Sequence, residues 1–153
     1  MRRISRSVPA PAHLTVAMVG VPEGSPLELD LRLESVVEGV LVSGTVQATV
    51  AAECVRCLDR VEQPFETDLQ ELYAYPGRER AGRHSEREEP DVDERVLDGD
   101  LLDLEPAVRD AVVLALPLAP LCREDCPGLC PQCGAHLDSD PDHRHEEHDP
   151  RWA

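Results

Sequence analysis

The strongest constraint on this chain is where its cysteines fall. Cys54 and Cys57 form one C-x-x-C pair. The other four lie in Leu121-Cys122-Arg123-Glu124-Asp125-Cys126-Pro127-Gly128-Leu129-Cys130-Pro131-Gln132-Cys133-Gly134. A Cys-Pro-x-Cys-Gly ending suits a metal knuckle. The two-residue spacing lets both thiolates reach one tetrahedral ion, proline stiffens the turn, and glycine lets the backbone curl beneath the sulfur. Any fold that uses both groups must cancel the long separation between Cys57 and Cys122.

A length of 153 residues is enough for one domain with a single hydrophobic core and some tail. Aromatic residues make up only 3% of the chain, so that core is aliphatic and a base-stacking platform is disfavoured. The formal charge of −16 argues against wrapping a phosphate backbone and fits a basic partner, although acidity also serves solubility. Residues 1–6 are basic, but the proline-rich stretch that follows is not the apolar run of a signal peptide. No apolar segment approaches the roughly 18–20 residues that span a bilayer. The expectation is a cytoplasmic protein, and in a reducing compartment paired cysteines serve as metal ligands or redox thiols more often than as disulfides.

The pattern of apolar residues predicts an α+β fold: an antiparallel β-meander sheet with one packed helix and a cysteine-rich zinc-knuckle segment. Residues 1–13 read as a flexible arm, in which Arg2, Arg3 and Arg6 could touch RNA. A single domain spans 14–137. Leu14 to Val19 is a short strand candidate, and Leu27, Leu29, Leu31 and Leu33 alternate with charged residues as a half-buried strand. Residues 40–53 form a long strand with Val42, Val46 and Val50 on one face and a bulge expected at Gly44. This strand delivers Cys54 and Cys57 to a hairpin tip, and residues 60–73 return from it. Residues 76–95 read as a disordered charged loop. A helix follows to about residue 116, with Asp103 as N-cap, Pro106 in its first turn, and Val113 and Leu114 widening its covered face. Residues 121–137 make the knuckle, and 138–153 an acidic, histidine-bearing tail.

The simplest metal site takes Cys54, Cys57, Cys130 and Cys133, if the helix runs back beneath the hairpin tip. Four thiolates on Zn²⁺ leave a net −2, which Arg56, Arg60 and Arg123 are near enough in sequence to offset. Cys122 and Cys126 complicate that choice. A self-contained C-terminal site could use Cys126, Cys130 and Cys133 with His143 or His145, closing only short loops, so two sites are possible. For the histidines alone, a solvated disordered tail is the blander reading. Two readings from other classes stay open: a thiol redox protein, and a zinc-binding or zinc-transfer protein. A thioredoxin-like dithiol would favour a helix N-terminus, whereas Cys54 ends a strand. Catalytic zinc needs an open position with an acid or base beside it, and no phosphate-binding loop, dinucleotide fingerprint or nucleophile elbow is present. The expectation is a protein that is not an enzyme.

On these residues the chain resembles the YceD family of large ribosomal RNA subunit accumulation proteins. Cys54-Val55-Arg56-Cys57-Leu58 matches its C-x-R-C-L signature, and Leu31-Arg32-Leu33 to Gly44 resembles its opening strands. Asp100-Leu101-Leu102-Asp103-Leu104 through Pro117 matches its acidic-strand-then-helix segment, and Cys122 to Gly134 matches the block of its cysteine-rich branch. The resemblance implies a non-enzymatic role in ribosome biogenesis that supports accumulation or processing of large-subunit rRNA. It implies as partner a basic ribosomal protein of the large subunit or a pre-ribosomal particle, with direct rRNA contact as the rival and no membrane. Some relatives keep only the first cysteine pair, which counts against the shared four-thiolate site. Others carry a further Cys-x-Cys where this chain has His143-Arg144-His145, which favours a C-terminal site that includes a histidine.

Overall fold

A computed structural model describes residues 1–77 and 95–145. The seven strands and one helix found there are β1 (Arg2–Pro9), β2 (Thr15–Val16), β3 (Val19–Gly20), β4 (Pro26–Ser35), β5 (Gly39–Glu53), β6 (Arg60–Ala74), β7 (Arg95–Val96) and α1 (Glu105–Ala115). The architecture is α+β, a mostly antiparallel sheet with one helix. The strand β5 organises it. Along one edge β5 pairs first with β4 and then with β3, while β6 pairs along its whole opposite edge. β1 extends the sheet beyond β4, and β7 adds a short parallel strand beyond β6.

Alternation sets the core. In β4, Leu27, Leu29 and Leu31 are buried and the intervening Glu28, Asp30 and Arg32 are exposed, because successive side chains of a strand point to opposite faces. Val42, Val46 and Val50 of β5 and Leu69 and Tyr73 of β6 continue the same face, against which Ala107, Val108, Val112 and Leu116 pack. The Tyr73 hydroxyl donates to the Asp103 carbonyl at 2.7 Å, which anchors the entry to α1 on β6. Arg95 of β7 then pairs with Asp110 of α1 at 2.5 Å, so the helix is held from both sides of the entry.

Several expectations are corrected here. Residues 2–9 are a strand with an unbroken antiparallel register to β4 and not a flexible arm. Only Ile4 and Val8 of this strand are even half-buried, so it carries little apolar signal, yet it satisfies the otherwise open edge of β4. The strand candidate at 14–19 is a tight hairpin of β2 and β3, with Ala17 at φ 51° in its turn. Gly44 is not a bulge, since the register on both sides runs through it without an extra residue. Leu104 is the N-cap of α1 with no side-chain cap, and Asp103 instead accepts the Glu105 amide at 3.0 Å. Leu114 lies in the open rather than under cover. The charged loop read over 76–95 falls mainly outside the described residues, as does 146–153 of the tail. No helix among the described residues is long and apolar enough to cross a membrane.

Candidate metal centres

The turn between β5 and β6 is the first cysteine knuckle. The Cys54 amide donates to the Asp59 carbonyl at 2.8 Å, and the Leu58 amide to the Cys54 carbonyl at 2.9 Å. Leu58 takes φ 64°, the left-handed turn that folds the loop under its own sulfurs. After α1 the chain returns to this tip. The Val55 amide donates to the Pro120 carbonyl at 3.0 Å, which sets Cys122 and Cys126 against Cys54 and Cys57. The Arg56 guanidinium locks the approach by donating to the carbonyls of Cys126 at 3.0 Å and Glu124 at 3.2 Å. Val61, Leu121 and Leu129 cover the buried sulfurs in a small apolar cluster separate from the main core.

The four sulfurs of Cys54, Cys57, Cys122 and Cys126 all lie within 4.8 Å of one another. A tetrahedral thiolate site with bonds of about 2.3 Å places its sulfurs about 3.8 Å apart. Cys54 Sγ and Cys126 Sγ are 3.9 Å apart, and Cys57 Sγ and Cys122 Sγ 3.7 Å. The cluster fits one ion.

The second cluster is local. Gly128, at φ 80°, turns the chain away from the first knuckle, and a Cβ there would meet the Arg56 carbonyl oxygen at 3.0 Å. Leu129 bridges to His136, the Cys130 amide donates to the Ala135 carbonyl, and the Gly134 amide donates back to the Cys130 carbonyl. His143 Nε2 lies 3.2 Å from Cys133 Sγ and 2.9 Å from His145 Nε2, which is 3.3 Å from Cys133 Sγ. These separations are a few tenths of an ångström inside the roughly 3.3–3.6 Å of a mixed sulfur and nitrogen tetrahedron. With Cys130 the four donors converge within 4.8 Å, and the Asp140 carboxylate stands 3.8 Å from His143 Nδ1, outside hydrogen-bond distance. A bidentate pair between Arg123 and Asp138 staples the first cluster's loop to the second's.

The electrostatics fit cations. The Cys57 amide draws the Cys54 thiol down to about 6 against the opposing effect of burial. The amides of Gln132 and Cys133 draw Cys130 down to about 6 in the same way. At Cys57 the Asp59 amide favours the thiolate, but burial and the sulfurs of Cys54, Cys122 and Cys126 push it up to about 12. The Cys126 sulfur and burial likewise raise Cys122. A crowded set of this kind ionises fully only around a positive ion. The sign for binding follows. Near neutral pH a metal must displace the protons on Cys57 and Cys122, so affinity at the first cluster falls as pH falls. At least two displaced protons give at least about a hundredfold per pH unit, and Cys54 adds its own dependence only below about 6. Competition against a chromophoric chelator across this range measures that slope; a pH-independent affinity would contradict it.

The residues read from sequence thus reappear in a different partition. Cys54 and Cys57 meet Cys122 and Cys126, and not Cys130 and Cys133 as the simplest site required. Cys126 belongs to the first cluster, and the self-contained site uses both His143 and His145 with the last two cysteines. The left-handed turn at Gly128 falls between Cys126 and Cys130, where the chain passes from the first cluster to the second. Of the compensating cations, Arg56 reaches the first loop, Arg123 is engaged with Asp138 and Asp125, and Arg60 pairs with Glu62. The signal overlooked in the sequence was the partition itself, because six cysteines with two of the three tail histidines make two complete sets of four.

These observations define a class: an α+β chain with two clusters, each able to hold a metal ion, one joining the hairpin tip to the segment after the helix and one closing the C-terminal loop. The family model described as large ribosomal RNA subunit accumulation protein YceD matches residues 42–153, and the chain belongs to this family. An uncharacterised protein of Mycobacterium tuberculosis is 48% identical over 153 residues, which is 100% of this chain and 72% of the relative. An uncharacterised protein of Mycobacterium leprae is 44% identical over 98% of this chain and 67% of its own length. The uncharacterised protein YlbN of Bacillus subtilis is 27% identical over 72% of this chain and 60% of its own. No solved structure matches the chain.

Proposed function

We propose that this chain is a non-enzymatic, cytoplasmic factor in assembly of the large ribosomal subunit. In this reading two structural zinc ions shape the protein, and it holds a basic ribosomal protein or the assembling particle. The family's association with large-subunit rRNA supports the process. The observation that carries the structural role is the partition of all six cysteines, with His143 and His145, into two sets of four donors. Four protein ligands complete a tetrahedron and leave no position for substrate, as in structural zinc sites. Thiolate and imidazole donors without oxygen favour zinc over magnesium or calcium. The charge of −16 supports a basic partner and opposes direct binding to rRNA.

Deleting the gene is expected to lower the ratio of large- to small-subunit rRNA, and a Cys54→Ser, Cys57→Ser chain is expected not to restore it. An unchanged ratio in the deletion strain would sink the ribosomal role. Metal analysis on protein purified under reducing conditions tests the rest, with two tightly held zinc ions per chain expected. Zinc lost to mild chelation would point to zinc transfer. A metal-free protein with redox-active Cys54 and Cys57 would point to thiol chemistry.

A further inference from the structure

The helix covers one face of the sheet, and the other face is open among the described residues. The register places Glu28, Asp30, Arg32 and Glu34 of β4 on this open face, beside Gln47, Thr45, Ser43 and Leu41 of β5. Across β5 from those residues stand Glu66, Asp68, Gln70 and Leu72 of β6. Read across the strands, two successive rows run acid, short neutral, acid: Glu28–Gln47–Glu66 and Asp30–Thr45–Asp68. Adjacent strands are about 4.8 Å apart and alternate residues about 6.7 Å. The four carboxylates therefore outline a rectangle of roughly 10 by 7 Å with a neutral floor.

The surface around this rectangle is hollow. One shallow depression of about 370 Å³ is lined by Glu28, Gln47, Thr49, Pro64 and Glu66 among others, and a second of about 320 Å³ by Arg3, Asp30, Arg32, Ser43 and Thr45 among others. Neutral groups serve the first row: Ser7 donates to Glu28 and Gln47 to Glu66, each at 2.5 Å. Two cations border the second depression: Arg32 of β4 is engaged by Glu34, and Arg3 of β1 stands beside it at the rim, outside the acidic rectangle. None of the ion pairs among the described residues involves Glu28, Asp30, Glu66 or Asp68.

We propose that this open sheet face is a docking trough for an extended lysine- and arginine-rich polypeptide segment. Cations at alternate positions of an extended chain recur every 6.6–6.8 Å or so, the spacing of the two acidic rows. Like charges held across a sheet repel, and a cationic segment relieves that repulsion while its side chains fill the hollows. A nucleic-acid backbone brings the wrong sign. This reading deepens the proposed function by giving its basic partner a surface, and rests on it for the partner's class.

The test uses the full, zinc-loaded chain and a fluorescent 16-residue peptide of alternating arginine and serine, with a 16-nucleotide single-stranded RNA as rival probe. Glu28→Gln, Asp30→Asn, Glu66→Gln and Asp68→Asn together are expected to weaken peptide binding roughly tenfold at low salt. Glu23→Gln, Glu38→Gln, Asp100→Asn and Glu124→Gln remove the same charge off this face and are expected to change it less than about twofold. Amide shifts on peptide addition are expected to concentrate in β4, β5 and β6. If the fourfold neutralised chain folds poorly, Thr45→Arg with Gln47→Arg places cations on the floor and is expected to abolish binding. Equal weakening by both fourfold variants, shifts centred on the cysteine loops, or tighter binding of the RNA would overturn the trough. A normal rRNA ratio in the deletion strain would sink the ribosomal role and leave this binding intact.

Discussion

Chelating the zinc ions proposed for the two clusters is expected to make the chain cleavable by trypsin at Arg56 and Arg123, on the order of a hundredfold faster than the loaded protein, while the β-sheet signal in circular dichroism persists. The asymmetry comes from two separate apolar clusters. The sheet and helix bury Leu27, Leu31, Val46, Leu69, Tyr73 and Val112 with no cysteine among their buried residues. The knuckles have only Val61, Leu121 and Leu129 packed around Cys54, Cys57 and Cys126. Beyond α1 no strand or helix forms among the described residues, so residues 117–145 lean on a few backbone hydrogen bonds and on the two clusters. Structural zinc in isolated finger peptides contributes roughly 10–16 kcal/mol of apparent binding energy, far more than those bonds supply. Without metal, crowded sulfurs with opposed proton demands have no reason to stay together, and Arg56 loses the carbonyls of Glu124 and Cys126 that shield it. Limited proteolysis followed by mass analysis checks the outcome. Loss of the β-sheet signal in step with the metals would show one cooperative unit, and unchanged resistance would show that the metals organise nothing.

Much of the sheet was readable from short-range pattern. The alternation from Leu27 to Leu33 and the long apolar face of β5 each follow from burying one side of a strand, and the hairpin bearing Cys54 and Cys57 follows from turning β5 back as β6. What escaped was whatever depends on a distant partner. β1 has three arginines and two serines in eight residues, and it is a strand only because β4 offers an edge. The α1 terminus was misread because Asp103 serves a turn one residue outside the helix. The cysteines were read as candidate ligands from their spacing, but spacing reports reach and not direction. Gly128 makes a left-handed turn close against the backbone of Arg56, more than seventy residues earlier, a neighbour that local spacing does not reveal. For the same reason only one of His143 and His145 was expected beside the last cysteines, since nothing in Asp138-Ser139-Asp140-Pro141-Asp142 announces a chain that brings both back onto Cys133.

Gly44→Ala is expected to cost about 3 kcal/mol and to lower the melting temperature by about 6–12 °C, with metal content unchanged. Gly44 pairs with Leu31 on one side and Leu69 on the other, both buried, at the centre of the sheet. Its φ of 153° aims a would-be Cβ at the backbone of β4, 2.0 Å from the Asp30 carbonyl oxygen and 2.9 Å from the Leu31 Cα. Neither atom is the end of a flexible side chain, so the relief must come from spreading β4 away from β5. That spread would loosen Leu29 and Leu31 in the core. Gly99→Ala separates the contributions, because Gly99 also has a positive φ, 59°, but nothing stands within 4 Å of its Cβ position. There only the backbone preference is lost, about 1–2 kcal/mol. Thermal melts of the two variants, each with a zinc assay, measure the difference. Equal costs would mean that the approach of β4 to β5 carries no particular stability. Metal lost from Gly44→Ala while the chain is still folded would mean that the sheet and the knuckles are a single unit, against the division that the chelation experiment relies on.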